Sequence, residues 1–161
     1  MAETSSPDDG LTLEPLGAWH VPHCEAIARA LPEWFGLEEG LAEMRGYLET
    51  GSGFVACQSN EVVGFLTLRR HFAETWEITW MAVARARHRR GVGRRLIESA
   101  ATRCRGEGAR WLLVKTLADS HPSEEYRATR AFYQAMGFDR LSVFPDLWGP
   151  DNPCLQMVRR L

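Results

Sequence analysis

The chain has 161 residues, of which 45% are hydrophobic and 25% are charged, and its formal net charge is -2. This length and composition are typical of one globular domain, and they exclude a disordered or fibrous chain. The acidic balance argues against a general nucleic-acid-binding protein, and the lack of an apolar signal or membrane segment in the sequence predicts a cytoplasmic protein.

Hydrophobic spacing predicts the order of the secondary-structure elements. Residues 1–10 are polar and predict a flexible leader, so we expect a single domain over residues 11–161. Apolar residues then alternate, as in strands, or recur every three to four positions, as in helices. These patterns predict a strand near Leu11, helices over Val21–Leu31 and Leu37–Leu48, and strands over Phe54–Cys57, Val62–Leu68 and Trp76–Val83. They continue with a helix after Gly93, a strand over Trp111–Val114, a helix from Ser123 to Gly137, and strands over Phe138–Phe144 and Cys154–Val158. This order indicates a mixed α/β fold.

The helix that follows Ser123 has a recognisable cap and a candidate apolar face. Ser123 is a typical N-cap residue, and two glutamates follow it where they complement the helix dipole. The predicted buried face consists of Ala128, Ala131, Phe132 and Ala135. Tyr133 lies about 100° from Phe132 around the helix, which favours a half-exposed phenol beside that face, with core packing as the alternative.

Arginines crowd the segment between the strand at Trp76–Val83 and the next helix. The segment contains Gly91-Val92-Gly93 and the arginines Arg85, Arg87, Arg89, Arg90, Arg94 and Arg95. A helix N-terminus presents unpaired amides, glycines let an anion approach them, and arginines add charged hydrogen bonds. These features predict a phosphate or pyrophosphate site, with a solvated arginine surface as the alternative. The segment lacks the third glycine of a dinucleotide fingerprint and the Gly-Lys-Ser/Thr of a P-loop, which argues against nicotinamide, flavin and ATP.

Two motifs of the sequence resemble those of the GNAT superfamily of N-acetyltransferases, which use acetyl-coenzyme A (acetyl-CoA). The first motif, Glu77–Val83 followed by His88–Leu96, is similar to the coenzyme-binding strand, pyrophosphate loop and helix of that family. The second, Ala131–Phe138, is similar to its helix that carries a tyrosine before a Gly-Phe turn. The resemblance implies a central, mostly antiparallel, splayed mixed sheet flanked by about four helices. His88 stands where the family loop usually starts with Arg or Gln, and Tyr126 stands where many members have an asparagine.

The resemblance also implies which residues bind acetyl-CoA. Strand backbone groups are expected to bind the pantetheine arm, and loop amides are expected to bind the pyrophosphate. The expected cofactor-binding residues are Met81, Ala82, Val83, His88, Arg89, Arg90, Gly91, Val92, Gly93, Arg94 and Phe132.

Acetyl transfer to an amine needs a proton acceptor and a proton donor. An acceptor ammonium has a pKa near ~10, so a base must remove a proton before the nitrogen attacks the thioester. The leaving thiolate, with a thiol pKa near ~8.5, benefits from a proton donor. We assign the first role to Glu77, acting through water, and the second to the neutral hydroxyl of Tyr133; pairing of Glu77 with an arginine is the structural alternative. Direct transfer within one ternary complex needs no covalent enzyme intermediate.

By the same resemblance, two loops are expected to line the acceptor site. These loops, Leu31–Phe35 and Phe144–Pro153, mix aromatic and acidic residues. Four of their residues are expected to receive a cationic amine by charge and stacking, although such loops also pack through ordinary hydrophobic contacts: Glu33, Trp34, Asp146 and Trp148. A small-molecule amine, a peptide or protein amine, acyl donors longer than acetyl and a homodimer all stay open.

Cysteines and histidines of the sequence show no metal-binding spacing. Cys24, Cys57, Cys104 and Cys154 are spread too widely for a metal motif and predict reduced, mostly core thiols. His71, His88 and His121 lack the spacing of metal ligands, so no metal is expected.

Two other function classes stay open on the sequence alone. A non-catalytic acyl-CoA sensor or partner-docking module of the same fold would not need Tyr133. An RNA-binding arginine helix is the third candidate, and the acidic pI of 6.2 argues against it.

Overall fold

Seven β-strands and four α-helices make up the computed structural model, which describes residues 10–161. The elements are β1 (Leu11–Pro15), α1 (Val21–Arg29), α2 (Glu38–Glu49), β2 (Gly53–Gln58), β3 (Glu61–Phe72), β4 (Thr75–Val83), α3 (Val92–Gly106), β5 (Trp111–Leu117), α4 (Glu124–Ala135), β6 (Asp139–Phe144) and β7 (Cys154–Arg160). Residues 1–9 of the predicted leader lie outside the described residues. Within residues 10–161, no helix combines the length and apolar character that crossing a membrane requires.

Hydrogen bonds join the strands in the order β1-β2-β3-β4-β5-β7-β6. The β1/β2, β2/β3, β5/β7 and β6/β7 ladders are antiparallel, and β4/β5 is parallel. The parallel ladder pairs Thr75–Ile78 with Trp111–Val114, and β4 continues beyond it from Thr79 to Val83. The mixed α/β fold with a mostly antiparallel sheet and four helices confirms the predicted fold class.

Contacts divide the chain into two compact units. The first unit contains the described residues up to Thr67 together with Trp80–Ala100, and the second contains Leu68–Thr79 and Ala101–Leu161. Strands β3 and β4 and helix α3 contribute residues to both units.

The core of the first unit lies beneath α1 and α2. Its fully buried residues include Cys24, Met44, Leu48, Val55 and Phe65. The helix over Leu37–Leu48 was predicted from the spacing of Leu37, Leu41, Met44 and Leu48, and the last three form the buried face of α2.

One residue of the predicted α2 face is exposed. Leu37 is 69% exposed, so its assignment to that face was wrong. It is the N-cap residue, with extended backbone (φ -113°), and the helical periodicity begins only at Glu38. Helical spacing carries no information about a side chain that precedes the first turn.

Helix α4 of the second unit buries a different face from the one that its sequence predicts. Ser123 caps the helix as predicted, accepting a hydrogen bond from the Tyr126 amide (3.2 Å). The predicted stripe was wrong, because Ala128, Ala131 and Ala135 are exposed and Phe132 is half-buried. The buried residues of the helix are Arg130 and Tyr133. Alanines bury little apolar area, so the larger side chains determine which face packs.

His20 is a buried polar residue of the first unit. Its Nδ1 accepts a hydrogen bond from the Gly17 amide (2.8 Å), which places the ring proton of the neutral form on Nε2. Nε2 has no hydrogen-bond partner among the described residues, and Glu14 Oε2 lies 3.7 Å away. Burial lowers the pKa of His20 below its usual value, although Glu14 opposes this effect.

The burial of His20 predicts a loss of stability in mild acid. The unfolded chain binds a proton at His20 near pH ~6.5 and the folded chain only at lower pH, so the free energy of unfolding falls as pH drops through that range. A His20→Asn variant keeps a side-chain acceptor for the Gly17 amide, and we expect it to lose less stability than wild type between about pH 7.5 and 5.5. Urea unfolding at both pH values measures the difference, with His23→Asn, at an exposed histidine, as the control. Equal acid sensitivity of wild type and His20→Asn would contradict the expectation.

Candidate active site

Two residues with left-handed backbone shape the turn that leads into α3. Arg89 has φ 59° and Gly91 has φ 82°, and the helix begins at Val92. Left-handed residues are characteristic of the backbone concavities that bind anions. The first helical hydrogen bond joins the Arg95 amide to the Gly91 carbonyl (3.1 Å), so the amides of residues 91–94 have no helical acceptor. The turn thus carries open backbone donors at the positive end of the helix dipole.

Arginines around this turn divide into two groups. Arg85 binds Glu33 and Arg95 binds the Leu11 carbonyl (2.9 Å), so these two guanidinium groups are engaged within the protein. Arg89, Arg90 and Arg94 are exposed and make no ion pair within residues 10–161. The arginine side chains that could bind an anionic ligand therefore lie around the start of α3.

The predicted acceptor residue Glu33 is already paired with a cation. Arg85 donates to both carboxylate oxygens of Glu33, at 2.7 and 2.8 Å. The pKa of Glu33 lies below its usual value because its own backbone amide and the Arg85 guanidinium donate to it. Its charge is thus balanced by Arg85, and the role of Glu33 in receiving a cationic amine stays a prediction.

The structure brings three other predicted residues together beside this pair. The Trp34 and His88 rings meet edge to face, with centroids 5.9 Å apart. His88 Nε2 lies 2.7 Å from the Val83 carbonyl oxygen, which can only accept, so Nε2 donates. His88 therefore links the turn to the end of β4, and its hydrogen bond occupies one lone pair of the Val83 carbonyl oxygen. Met81 and Ala82 precede Val83 on the same strand.

The predicted base Glu77 lies in the second unit with two partners that the sequence did not indicate. His71 Nε2 lies 2.5 Å from Glu77 Oε2, and Lys115 Nζ lies 2.7 Å from Glu77 Oε1. The Glu77 side chain is 7% exposed, against 26% for His71 and 27% for Lys115. The alternative of an arginine partner is replaced by a lysine and a histidine, which come from β5 and β3.

Tyr133 is buried rather than half-exposed, which corrects the sequence prediction. It is 7% exposed, and its ring packs against Phe132 and Phe138, with centroids 5.5 and 5.7 Å away. Burial raises the pKa of Tyr133 well above its usual value, and Tyr126 adds to the effect. The phenol is therefore a neutral donor at every physiological pH.

Asp146 and Trp148 lie in the loop between β6 and β7. Both are exposed, and a turn hydrogen bond joins the Gly149 amide to the Asp146 carbonyl (3.3 Å). The Asn152 side-chain amide donates to the Trp148 carbonyl (3.4 Å). These two residues belong to the second unit, whereas Glu33 and Trp34 belong to the first.

None of the cysteines has the properties of a nucleophile. All are buried, and burial raises the pKa of each thiol: to about 12 for Cys24, to about 11 for Cys104 and Cys154, and above its usual value for Cys57. A protonated, buried thiol is a poor nucleophile, so these cysteines are suited to packing rather than to covalent chemistry.

Glu14, His20 and Cys57 form a cluster of metal-ligand types that the sequence did not predict. Their ligand atoms lie within 4.8 Å of one another. The Gly17 amide donates to His20 Nδ1, however, and the proton on Nε2 then removes the lone pair that a metal would need. The cluster therefore does not present a three-ligand site.

A cavity of about 470 Å³ in the second unit contains no predicted site residue. Three arginines and two carboxylates line it: Asp119 contacts Arg140 and lies 3.6 Å from Arg130, and Glu124 lies 3.8 Å from Arg127. Arg130 also donates to the Leu117 carbonyl (2.8 Å). Each arginine thus has a carboxylate partner, and the lining keeps an excess of one positive charge.

A model of the acetyltransferase (GNAT) domain matches residues 49–140, which is more than half of the chain. The chain belongs to the GNAT acetyltransferase family. The match includes β4, the arginine-rich turn and α4, so the resemblance stated from the two motifs is confirmed.

Solved GNAT structures have the same fold over nearly the whole chain. A GNAT-family protein from Desulfovibrio desulfuricans is 16% identical with a TM-score of 0.80, covering 94% of this chain and 99% of its own. A GNAT acetyltransferase from Elizabethkingia anophelis with acetyl-CoA bound is 21% identical with a TM-score of 0.71, covering 95% and 99%. The ribosomal-protein-S18-alanine N-acetyltransferase from Escherichia coli is 17% identical with a TM-score of 0.73, covering 93% of both chains. At these identities the likeness establishes the fold.

Proposed function

We propose that this protein transfers an acetyl group from acetyl-CoA to a primary amine, by direct attack in a ternary complex. The observation that carries the proposal is the turn into α3, where Arg89 and Gly91 have left-handed backbone at a helix N-terminus surrounded by exposed arginines. Such a turn suits the pyrophosphate of coenzyme A. Membership of the GNAT family and the acetyl-CoA in the Elizabethkingia structure support the choice of ligand.

Cofactor binding is assigned to backbone and side-chain groups of the two motifs. The amides of Arg89–Arg94 would bind the pyrophosphate, and backbone groups of Met81–Val83 would bind the pantetheine amides. His88 would hold the turn through its bond to Val83, and Phe132 would contribute an aromatic surface.

The chemistry is assigned to Glu77 and Tyr133 in the second unit. The nitrogen lone pair forms the C–N bond while the C–S bond breaks, and Tyr133 protonates the leaving thiolate. Glu77 would accept, through water, the proton that the acceptor ammonium loses. The high pKa values of the buried thiols support a route without an acyl-enzyme.

The acceptor is proposed to be a primary amine of a small molecule or a peptide. The Escherichia coli structure is by its name an enzyme for a protein alanine, which is consistent with a peptide amine here. Trp34, Trp148 and Asp146 are the residues proposed to receive the cationic amine. Glu33 contributes through its ion pair with Arg85 rather than as a free charge.

Ligand-induced thermal stabilisation tests the cofactor assignment. Acetyl-CoA or coenzyme A at 100 times its Kd stabilises the folded protein by about 2.7 kcal/mol, which raises Tm by about 5–10 °C. NAD and ATP should leave Tm unchanged. Gly91→Glu should abolish the shift, because it places a carboxylate at the anion site. The matched control is Gly108→Glu: both glycines have positive φ (82° and 87°) and open space around a Cβ, so backbone strain and added charge are the same.

Two outcomes would change the proposal. No shift with acetyl-CoA, or equal loss of the shift in both variants, would contradict the pyrophosphate assignment. A shift without release of free thiol in the presence of amines would favour an acyl-CoA-binding sensor over an enzyme.

A further inference from the structure

Both carboxylate oxygens of Glu77 are already engaged by neighbouring strands. Lys115 Nζ donates to Oε1 (2.7 Å) and balances the charge, and His71 Nε2 lies 2.5 Å from Oε2. The Glu77 side chain is 7% exposed. A carboxylate that is buried, ion-paired and hydrogen-bonded on both oxygens is poorly placed to receive a proton from an acceptor.

The hydrogen bond to Glu77 determines the tautomer of His71. An ionised carboxylate only accepts, so Nε2 of His71 carries the proton and donates it. The lone pair of the neutral ring is then on Nδ1, and the described residues provide no partner for that atom. The side chains of His71 and Lys115 are 26% and 27% exposed, but an ammonium only donates, so the imidazole is the solvent-accessible partner with a lone pair for a proton. A carboxylate that orients a histidine in this way is a recurring arrangement for a general base.

We propose that His71 is the group that takes the proton from the acceptor ammonium, and that Glu77 and Lys115 position it. The inference rests on the proposed acetyl transfer and changes the residue that acts as base. An ammonium N–H bond breaks, its electron pair stays on nitrogen, and the proton bonds to Nδ1. The amine then forms the C–N bond as the C–S bond breaks, and the thiolate takes the proton of Tyr133. The second proton of the nitrogen restores Tyr133 through water, and the imidazolium releases its proton to solvent.

The test compares His71→Ala with wild type, using spermidine, kanamycin and a peptide with an N-terminal alanine as acceptors. We expect kcat to fall by about 10²- to 10⁴-fold while the acetyl-CoA melting shift stays unchanged, because only the proton transfer is lost. Added imidazole should restore part of the rate to His71→Ala and none to a Tyr133→Phe variant. His71→Asn is the second variant in case His71→Ala fails to fold, and His23→Ala, at an exposed histidine, is the control.

Nuclear magnetic resonance gives a readout that needs no acceptor. Long-range ¹⁵N–¹H spectra of the wild-type protein should show the neutral His71 ring protonated on Nε2, and Glu77→Ala should release this preference. A ring protonated on Nδ1 would overturn the proposal. The proposal would also be overturned if the wild-type protein acetylated one of the amines and His71→Ala did so with full activity. That result would leave the proposed function intact. Absence of thiol release by wild-type protein with all three amines would instead reject the proposed function and this inference together.

Discussion

Replacement of Tyr133 by phenylalanine is expected to lower kcat by about 10²- to 10⁴-fold while leaving the acetyl-CoA melting shift unchanged. The substitution removes only the hydroxyl that is proposed to protonate the thiolate of coenzyme A. The ring remains, and with it the packing against Phe132 and Phe138. Because burial keeps the phenol neutral, the rate should fall without a new basic limb in the pH profile. Steady-state kinetics with free-thiol detection measure the effect.

Tyr126→Phe is the matched control for this experiment. Tyr126 lies on the same helix, is half-buried, and also has a pKa raised by burial. Its hydroxyl has no assigned role in the transfer, so we expect a rate close to that of wild type. An unchanged kcat in Tyr133→Phe would reject the proton-donor role, and equal losses in both variants would indicate a structural effect of the helix.

Replacement of Gly53 by alanine is expected to destabilise the fold strongly. Gly53 begins β2 with φ 151° and pairs with Thr67. A Cβ at this position would overlap the carbonyl oxygen of Leu66 and lie 3.0 Å from the Thr67 Cα. Backbone strain of about 1–3 kcal/mol adds to an overpacking cost of about 1–3 kcal/mol. The sum lowers Tm by on the order of 10 °C.

Gly108→Ala measures the backbone-strain cost without the overpacking cost. Gly108 also has positive φ (87°), but a Cβ there would meet no atom within 4 Å. We expect this variant to lose about 1–2 kcal/mol, which is the conformational cost alone. Thermal and urea unfolding of both variants provide the comparison. A loss at Gly53 no greater than that at Gly108 would show that β2 shifts to accommodate the methyl group.

The local patterns of the sequence were sufficient for most of the fold. Alternation predicted the strand over Trp76–Val83, and the Ser123 cap and Gly137 stop predicted the limits of α4, because these signals depend on neighbouring residues only. Periodicity failed where several faces carried apolar residues of different size. In α4 it favoured the alanine stripe, whereas the buried face carries Tyr133 and the guanidinium of Arg130.

The candidate site was predictable only as far as it is local in the chain. The turn from His88 to Gly93 is one continuous segment, and its helix-terminal geometry follows from its glycines and from the helix that begins there. The partners of Glu77 come from two other strands, and the Arg85–Glu33 pair joins residues far apart in sequence. Strand order and register determine which side chains meet, and neither can be derived from the alternation within a single strand.

Lys115, which forms an ion pair with Glu77, is a single site for amine-selective labelling of this protein. Lys115 is the only lysine in the sequence, so outside the chain's amino terminus an amine-selective reagent has one side chain to modify. The ammonium must leave the Glu77 carboxylate and lose its proton before it can react, so the labelling rate of one residue reports how often the cluster opens. Mass spectrometry of a tryptic digest would follow that opening directly, since trypsin cleaves after an unmodified Lys115 but not after a labelled one, and the two forms give different peptides.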